Sequence, residues 1–160
     1  MKVLIIDDEQ FIADSLKQSL ATQGIDAVTV VDSHYIEAGK KACSVLRQIH
    51  HADDAFHALI LDIHFQDHFI GGLKIYSKIL TEGLRGRFRH LIISTKYFPT
   101  GGVKGDAFRA IEIFRELSFA PPQNVLPKDS KTHNKIAERL RELIKEVNTP
   151  IGTYGMWHFH

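Results

Sequence analysis

The chain has 160 residues, with 20 Lys or Arg against 19 Asp or Glu and a net charge of +1. That length favours one domain whose core needs no disulfide or structural metal. The charge balance argues against a polyanion partner and a chain dominated by nucleic-acid binding. A single cysteine, Cys43, has no internal partner and fits a reducing cytosol. The N-terminus lacks the apolar core of a signal peptide. No apolar run approaches the roughly 20 residues of a membrane helix. The expected setting is cytoplasmic, with no membrane contact.

Five short apolar runs alternate with segments of helical period. The runs are "VLII" at 3–6, "AVTVV" at 27–31, "ALIL" at 58–61, "LII" at 91–93 and "NVLP" at 124–127. After the first, Ile12, Leu16 and Leu20 recur every fourth residue, and Gly24 is placed to end the helix. Asp32 or Ser33 is positioned to cap a second helix carrying Ala42, Val45, Leu46 and Ile49. Leu73, Tyr76 and Leu80 mark a third helix, closed by Gly83, and Ala107, Ile111, Phe114 and Leu117 a fourth. Ile136, Leu140, Leu143, Ile144 and Val147 mark a fifth, which Pro150 stops. Apolar runs without alternation imply strands buried on both faces. Strand and helix in turn, five times over, predict a parallel sheet wrapped by helices, a doubly wound α/β fold.

In such a sheet, ligands bind beyond the carboxyl ends of the strands. The first run ends in Asp7, Asp8 and Glu9, the third in Asp62, the fourth in Ser94 and Thr95, and the fifth in Lys128. An acidic cluster, a hydroxyl and a lysine are thus expected around one pocket. Crowded carboxylates cannot all stay ionised unless something positive joins them. An oxygen-rich site of this kind suits Mg²⁺, which keeps several waters and bridges to phosphate. An aspartate can itself attack phosphorus to form an aspartyl phosphate, a transfer that needs mainly positioning and charge neutralisation.

"KVLIIDDEQFIADSL", "ALILDIHF", "LIIST" and "VLPKD" resemble, in order, the receiver domain of two-component response regulators. The resemblance spans about residues 2–147, giving a receiver domain over 1–147 and an aromatic tail over 148–160. It implies the flavodoxin-like, five-stranded parallel sheet of order 2-1-3-4-5. It also implies a phosphoacceptor rather than a metabolic enzyme. Asp62 would take a phosphoryl group from a sensor histidine kinase or a histidine phosphotransfer protein. Asp7, Asp8, Asp62 and the backbone carbonyl of His64 would hold Mg²⁺. Lys128 and Thr95 would meet the phosphoryl oxygens, with Thr95 preferred over Ser94 as the switch. Phosphorylation would alter a surface near the helix expected over 107–117, toward a downstream protein target; a homodimer is compatible with this.

Departures from the family pattern fall at Lys96, where a small residue is usual, and at Val125, in place of an aromatic switch that Tyr97 would have to supply. Pro127 precedes Lys128 instead of following it, and Gln66 stands where the acceptor loop usually carries proline. Two stretches, around 34–57 and after Thr95, are longer than usual. Lys96 and Tyr97, with His64, are the candidate modulators of the site. The departures motivate a rival reading, a degenerate receiver used only for docking. A phosphohydrolase of the haloacid-dehalogenase type is disfavoured, because His64 stands where that family needs a second aspartate after Asp62.

His50, His51, His64 and His68 do not have the spacing of a paired-ligand zinc site. "RGRFR" at 85–89 interleaves arginines with Phe88, a pattern compatible with nucleic acid, but the neutral balance favours a solvated loop. The tail carries Tyr154, Trp157 and Phe159 and no helix-turn-helix, so no DNA-reading module is expected.

Overall fold

The computed structural model of the protein describes residues 1–68, 70–95, 124–127 and 133–147. Five strands form one sheet: β1 (Lys2–Asp7), β2 (Asp26–Val31), β3 (Phe56–Asp62), β4 (Phe88–Thr95) and β5 (Val125–Pro127). Their order is β2-β1-β3-β4-β5, and every pairing is parallel. Helices α1 (Gln10–Ala21), α2 (Tyr35–Arg47) and α3 (Gly71–Thr81) and a C-terminal helix, His133–Val147, connect and cover it. The doubly wound fold read from the sequence is the fold observed. No helix among the described residues is long and apolar enough to cross a membrane.

The period of two along each strand sorts the core into two layers. Leu4, Ile6, Leu59, Leu61, Leu91 and Ile93 face α2 and α3, meeting Ala42, Leu46, Ile75 and Ile79. Val3, Ile5, Ala58, Ile60 and Ile92 face the other side, where α1 and the C-terminal helix bring Leu16, Leu20, Ile136 and Leu140. Along β1, β3 and β4 both layers are buried, which is why these strands read as unbroken apolar runs, while β2 at the sheet edge is mostly half-buried. Truncating a buried leucine such as Leu59 to alanine should cost about 2–5 kcal/mol.

Helix ends follow local chemistry. Gly24 (φ 77°) and Gly83 (φ 71°) take left-handed turns just past α1 and α3, a conformation that favours glycine. Two expectations need correction. Helix α2 ends at Arg47, so Ile49 lies beyond it, although buried in the same core layer. Neither Asp32 nor Ser33 caps α2: His34 is the N-cap residue, and Asp32 Oδ1 accepts only the His34 N–H (2.9 Å). Asp32 bonds Lys41 instead (2.8 Å), which holds its carboxyl below the usual range. Ile144, one of the residues that mark the last helix, lies in that helix and is 36% exposed.

Helices α2 and α3 are tied through Glu82, which pairs with Lys78 (2.8 Å) and with Arg47. Cys43 is buried beneath this pair. Burial, then Glu82, pushes its thiol up to about 11, so it is kept protonated and unreactive. The helix expected over 107–117, the stretch after Thr95 and the tail over 148–160 lie outside the described residues.

Candidate functional site

The parallel registers carry β1 and β3 to the same edge. Ile6 pairs with Leu61, and Asp62 pairs with Ser94. The residues that follow Ile6, Asp7 and Asp8, therefore arrive beside Asp62 at the carboxyl end of the sheet. All three carboxylates are buried, at 5%, 5% and 2% exposure. One oxygen from each lies within 4.8 Å of the others. At an effective dielectric of about 20, each ionised pair at that separation repels by about 3 kcal/mol. No other set of three potential metal ligands converges among the described residues.

This donor set fits a hard divalent cation. Buried, oxygen-only, carboxylate-rich sites suit Mg²⁺, and the mutual repulsion of the carboxylates favours a cation between them. Glu9 stands apart from the cluster. It occupies the N-cap position of α1, its side chain makes no capping bond, and its backbone N–H donates to Asp7 Oδ1 (2.9 Å). His64 is half-buried, and its backbone N–H points to Asp62 Oδ1 at 3.3 Å. Ser94 is buried beside Asp62 in the sheet. Thr95 ends β4, paired with Pro127 of β5. Lys96, Tyr97 and Lys128 lie outside the described residues.

The sequence reading missed Gly72. The first turn of α3 is pressed against the end of β3: the Gly72 N–H donates to the Ile63 carbonyl at 2.8 Å. A Cβ at Gly72 would lie 2.1 Å from the Asp62 carbonyl oxygen and 2.6 Å from Ile63 Cα. Only a residue without a side chain permits that approach. The signal was available, because a Gly-Gly pair at the start of a helical pattern marks either a turn or a close backbone contact.

"RGRFR" is not a solvated loop. Arg85–Arg87 form a 3₁₀ turn and Phe88 opens β4. Arg85 lies over the Phe88 ring (4.5 Å) and donates to the Phe88 carbonyl (2.8 Å), while Arg87 donates to the Ile49 carbonyl. Two of the three arginines thus serve the chain's own backbone.

No family model and no curated protein matches the sequence. Solved structures do. The receiver domain of Francisella response regulator 1452 is 17% identical, with a TM-score of 0.60 over 92% of this chain and 98% of that one. The response regulator TrrA of Thermotoga maritima, solved with Mg²⁺ and beryllofluoride, is 20% identical, with a TM-score of 0.56 over 89% and 97%. The same regulator in complex with the histidine kinase ThkA is 19% identical, with a TM-score of 0.55 over 89% and 97%. The chain has the fold of a response-regulator receiver domain. Within that CheY-like architecture its acidic cluster falls at the carboxyl edge of β1 and β3.

Proposed function

We propose that the protein is a phosphoacceptor response regulator, taking a phosphoryl group on Asp62 from a phosphohistidine. The observation that carries this reading is the convergence of three buried carboxylates at one sheet edge. TrrA, of the same fold, was solved with Mg²⁺ and beryllofluoride and also bound to a histidine kinase. That likeness supports a sensor kinase or phosphotransfer protein as donor.

Asp7, Asp8, Asp62 and the His64 backbone carbonyl would hold Mg²⁺. When bound, the ion supplies positive charge against the phosphoryl oxygens, which the carboxylates alone would repel. Asp62 presents a carboxylate oxygen to phosphorus. The new P–O bond forms as the donor's N–P bond breaks, and the electron pair of that bond stays on the imidazole, which takes up a proton. Burial of Asp62 limits access of water to the resulting acyl phosphate. Gly72 and the bond from its N–H to Ile63 fix the backbone from which Asp62 projects. Lys128 would pair with the phosphoryl oxygens, and Thr95 would report phosphorylation toward a downstream partner.

Beryllofluoride with Mg²⁺ tests the assignment, because it mimics an aspartyl phosphate without turnover. Amide spectra of the wild type should shift around residues 7, 62 and 94, and Asp62→Ala should abolish the shift. An equal response in Asp62→Ala, or none in the wild type, would remove the proposal.

A further inference from the structure

The loop from Ile63 to Ile70 is longer than the family norm and has no proline. Its conformation matters, since it contains His64, whose carbonyl the receiver reading places against the cation. Phe65 and His68 exchange a pair of backbone hydrogen bonds, both 3.1 Å. The Ile70 N–H donates to His68 Nδ1 (3.2 Å) and the Gly71 N–H to the His68 carbonyl (2.9 Å). Phe65 is buried, but Gln66 and Asp67 at the tip are exposed.

A second element pins that tip. Helix α2 begins at Tyr35 with a cap residue, His34, whose own side chain makes no capping bond. The missing acceptor comes from Asp67, 32 residues further along the chain. Its Oδ1 accepts the Tyr35 N–H at 3.1 Å, and its Oδ2 lies 3.4 Å from His34 Nδ1. A carboxylate at a helix N-terminus satisfies an orphan donor and meets the positive end of the helix dipole. The Tyr35 ring also meets His68 edge-on, with centroids 4.9 Å apart. Tyr35 Cβ is packed so closely that a Cβ at Gly71 would approach it to 2.8 Å. Backbone, carboxylate and ring contacts together fasten the acceptor loop to the first turn of α2.

We propose that Asp67 is a positioning residue for the Asp7–Asp8–Asp62 centre, capping α2 so that the β3–α3 loop is held in its cation-competent conformation. The inference rests on the receiver reading. Its physical content is a population effect: if only a fraction of molecules holds the loop closed, the apparent dissociation constant rises by the reciprocal of that fraction. Losing the pin therefore weakens Mg²⁺ binding without changing the occupied state. This separates it from a residue that merely supports the fold, whose loss lowers the response at every Mg²⁺ concentration.

The experiment is a Mg²⁺ titration of the wild type, Asp67→Ala and Asp67→Asn, followed through the amide signals of Asp62 and His64. Tyr35 amide exchange is measured beside it. Asp67→Ala should raise the Mg²⁺ concentration at half-saturation by roughly 10-fold, the low end for outer-shell partners of metal ligands. The end-point spectrum should be unchanged, and Tyr35 exchange should accelerate. Asp67→Asn, which keeps an oxygen for the Tyr35 N–H, should recover most of the affinity. An unchanged midpoint in Asp67→Ala, or a lowered end point at an unchanged midpoint, overturns the inference while leaving the receiver reading intact. A wild type that shows no Mg²⁺ response overturns the receiver reading and the inference with it.

Discussion

Charged groups gather at both ends of the sheet, and the two ends arrange them in opposite ways. At the carboxyl end, Asp7, Asp8 and Asp62 are buried, with one oxygen from each within 4.8 Å of the others. At the amino end, Lys2, His57, Arg85, Arg87, Arg89 and His90 lie at or near the strand starts, and their bonds and ring contacts go mainly to backbone, to an imidazole nitrogen and to aromatic faces. Lys2 lies over the Phe56 ring at 4.7 Å, Arg85 over Phe88, and Arg85 and Arg87 donate to backbone carbonyls. His90 is kept neutral: burial, then Arg85, Arg139 and Arg89, lowers it from 6.5 to about 4. Burial, then Arg89 and the N-terminal amine, lowers His57 as well. Charge crowding alone does not make a site. Convergent acceptor-only groups are suited to take a cation between them, whereas cations that bond carbonyls or lie over rings, as Lys2, Arg85 and Arg87 do, make a structural seam.

That contrast can be broken experimentally, and the largest effect lies at the carboxyl end. Asp62→Asn should remove the Mg²⁺-dependent beryllofluoride response altogether. In the absence of Mg²⁺ it should stabilise the fold by about 1 kcal/mol, by relieving repulsion among like charges. Thermal unfolding with and without the ion reads both. Mg²⁺ at about 100 times its dissociation constant should stabilise the wild type by roughly 2.7 kcal/mol, and this gain should vanish in Asp7→Asn or Asp8→Asn.

Gly72→Ala comes next. A Cβ 2.1 Å from the Asp62 carbonyl cannot be accommodated without moving backbone, so the variant should lose about 3 kcal/mol by denaturant titration. Whatever folded protein remains should respond weakly to beryllofluoride.

The amino end makes a smaller, pH-dependent prediction. Unfolded His90 takes up a proton near 6.5 and the folded residue only near 4. Between those values the unfolded state holds more protons, so stability falls as pH drops from about 6.5 to about 4 and is fully present above that range. The loss should be roughly 2–3 kcal/mol, and His90→Gln should remove that part of the slope. Arg89→Ala should be the mildest change, within about 0.5 kcal/mol of wild type. It should nevertheless raise the His57 pKa, read from its imidazole proton shifts.

Much of this was legible in the sequence because doubly buried strands announce themselves. β1 to β4 each contain the apolar run assigned to them and β5 all of its run but Asn124, and Asp7, Asp8 and Asp62 sit together because strand ends in a parallel sheet share an edge. The cap of α2 was not legible. Local chemistry pointed to Asp32 or Ser33, whereas the acceptor comes from Asp67, brought there only by the tertiary fold. Ile49 carried the period of α2 past its end because an apolar residue buried just beyond a helix looks like one more turn. "RGRFR" misled for a related reason: arginines that bond carbonyls are indistinguishable, in sequence, from arginines facing solvent.

The most direct test of the central claim is incubation with acetyl phosphate and Mg²⁺, read by intact mass and by mapping the modified peptide. A single phosphoryl group on Asp62, absent in Asp62→Ala and lost when Mg²⁺ is chelated, is the predicted result. Phosphoryl incorporation at another residue, or none in the folded wild-type protein, would contradict it.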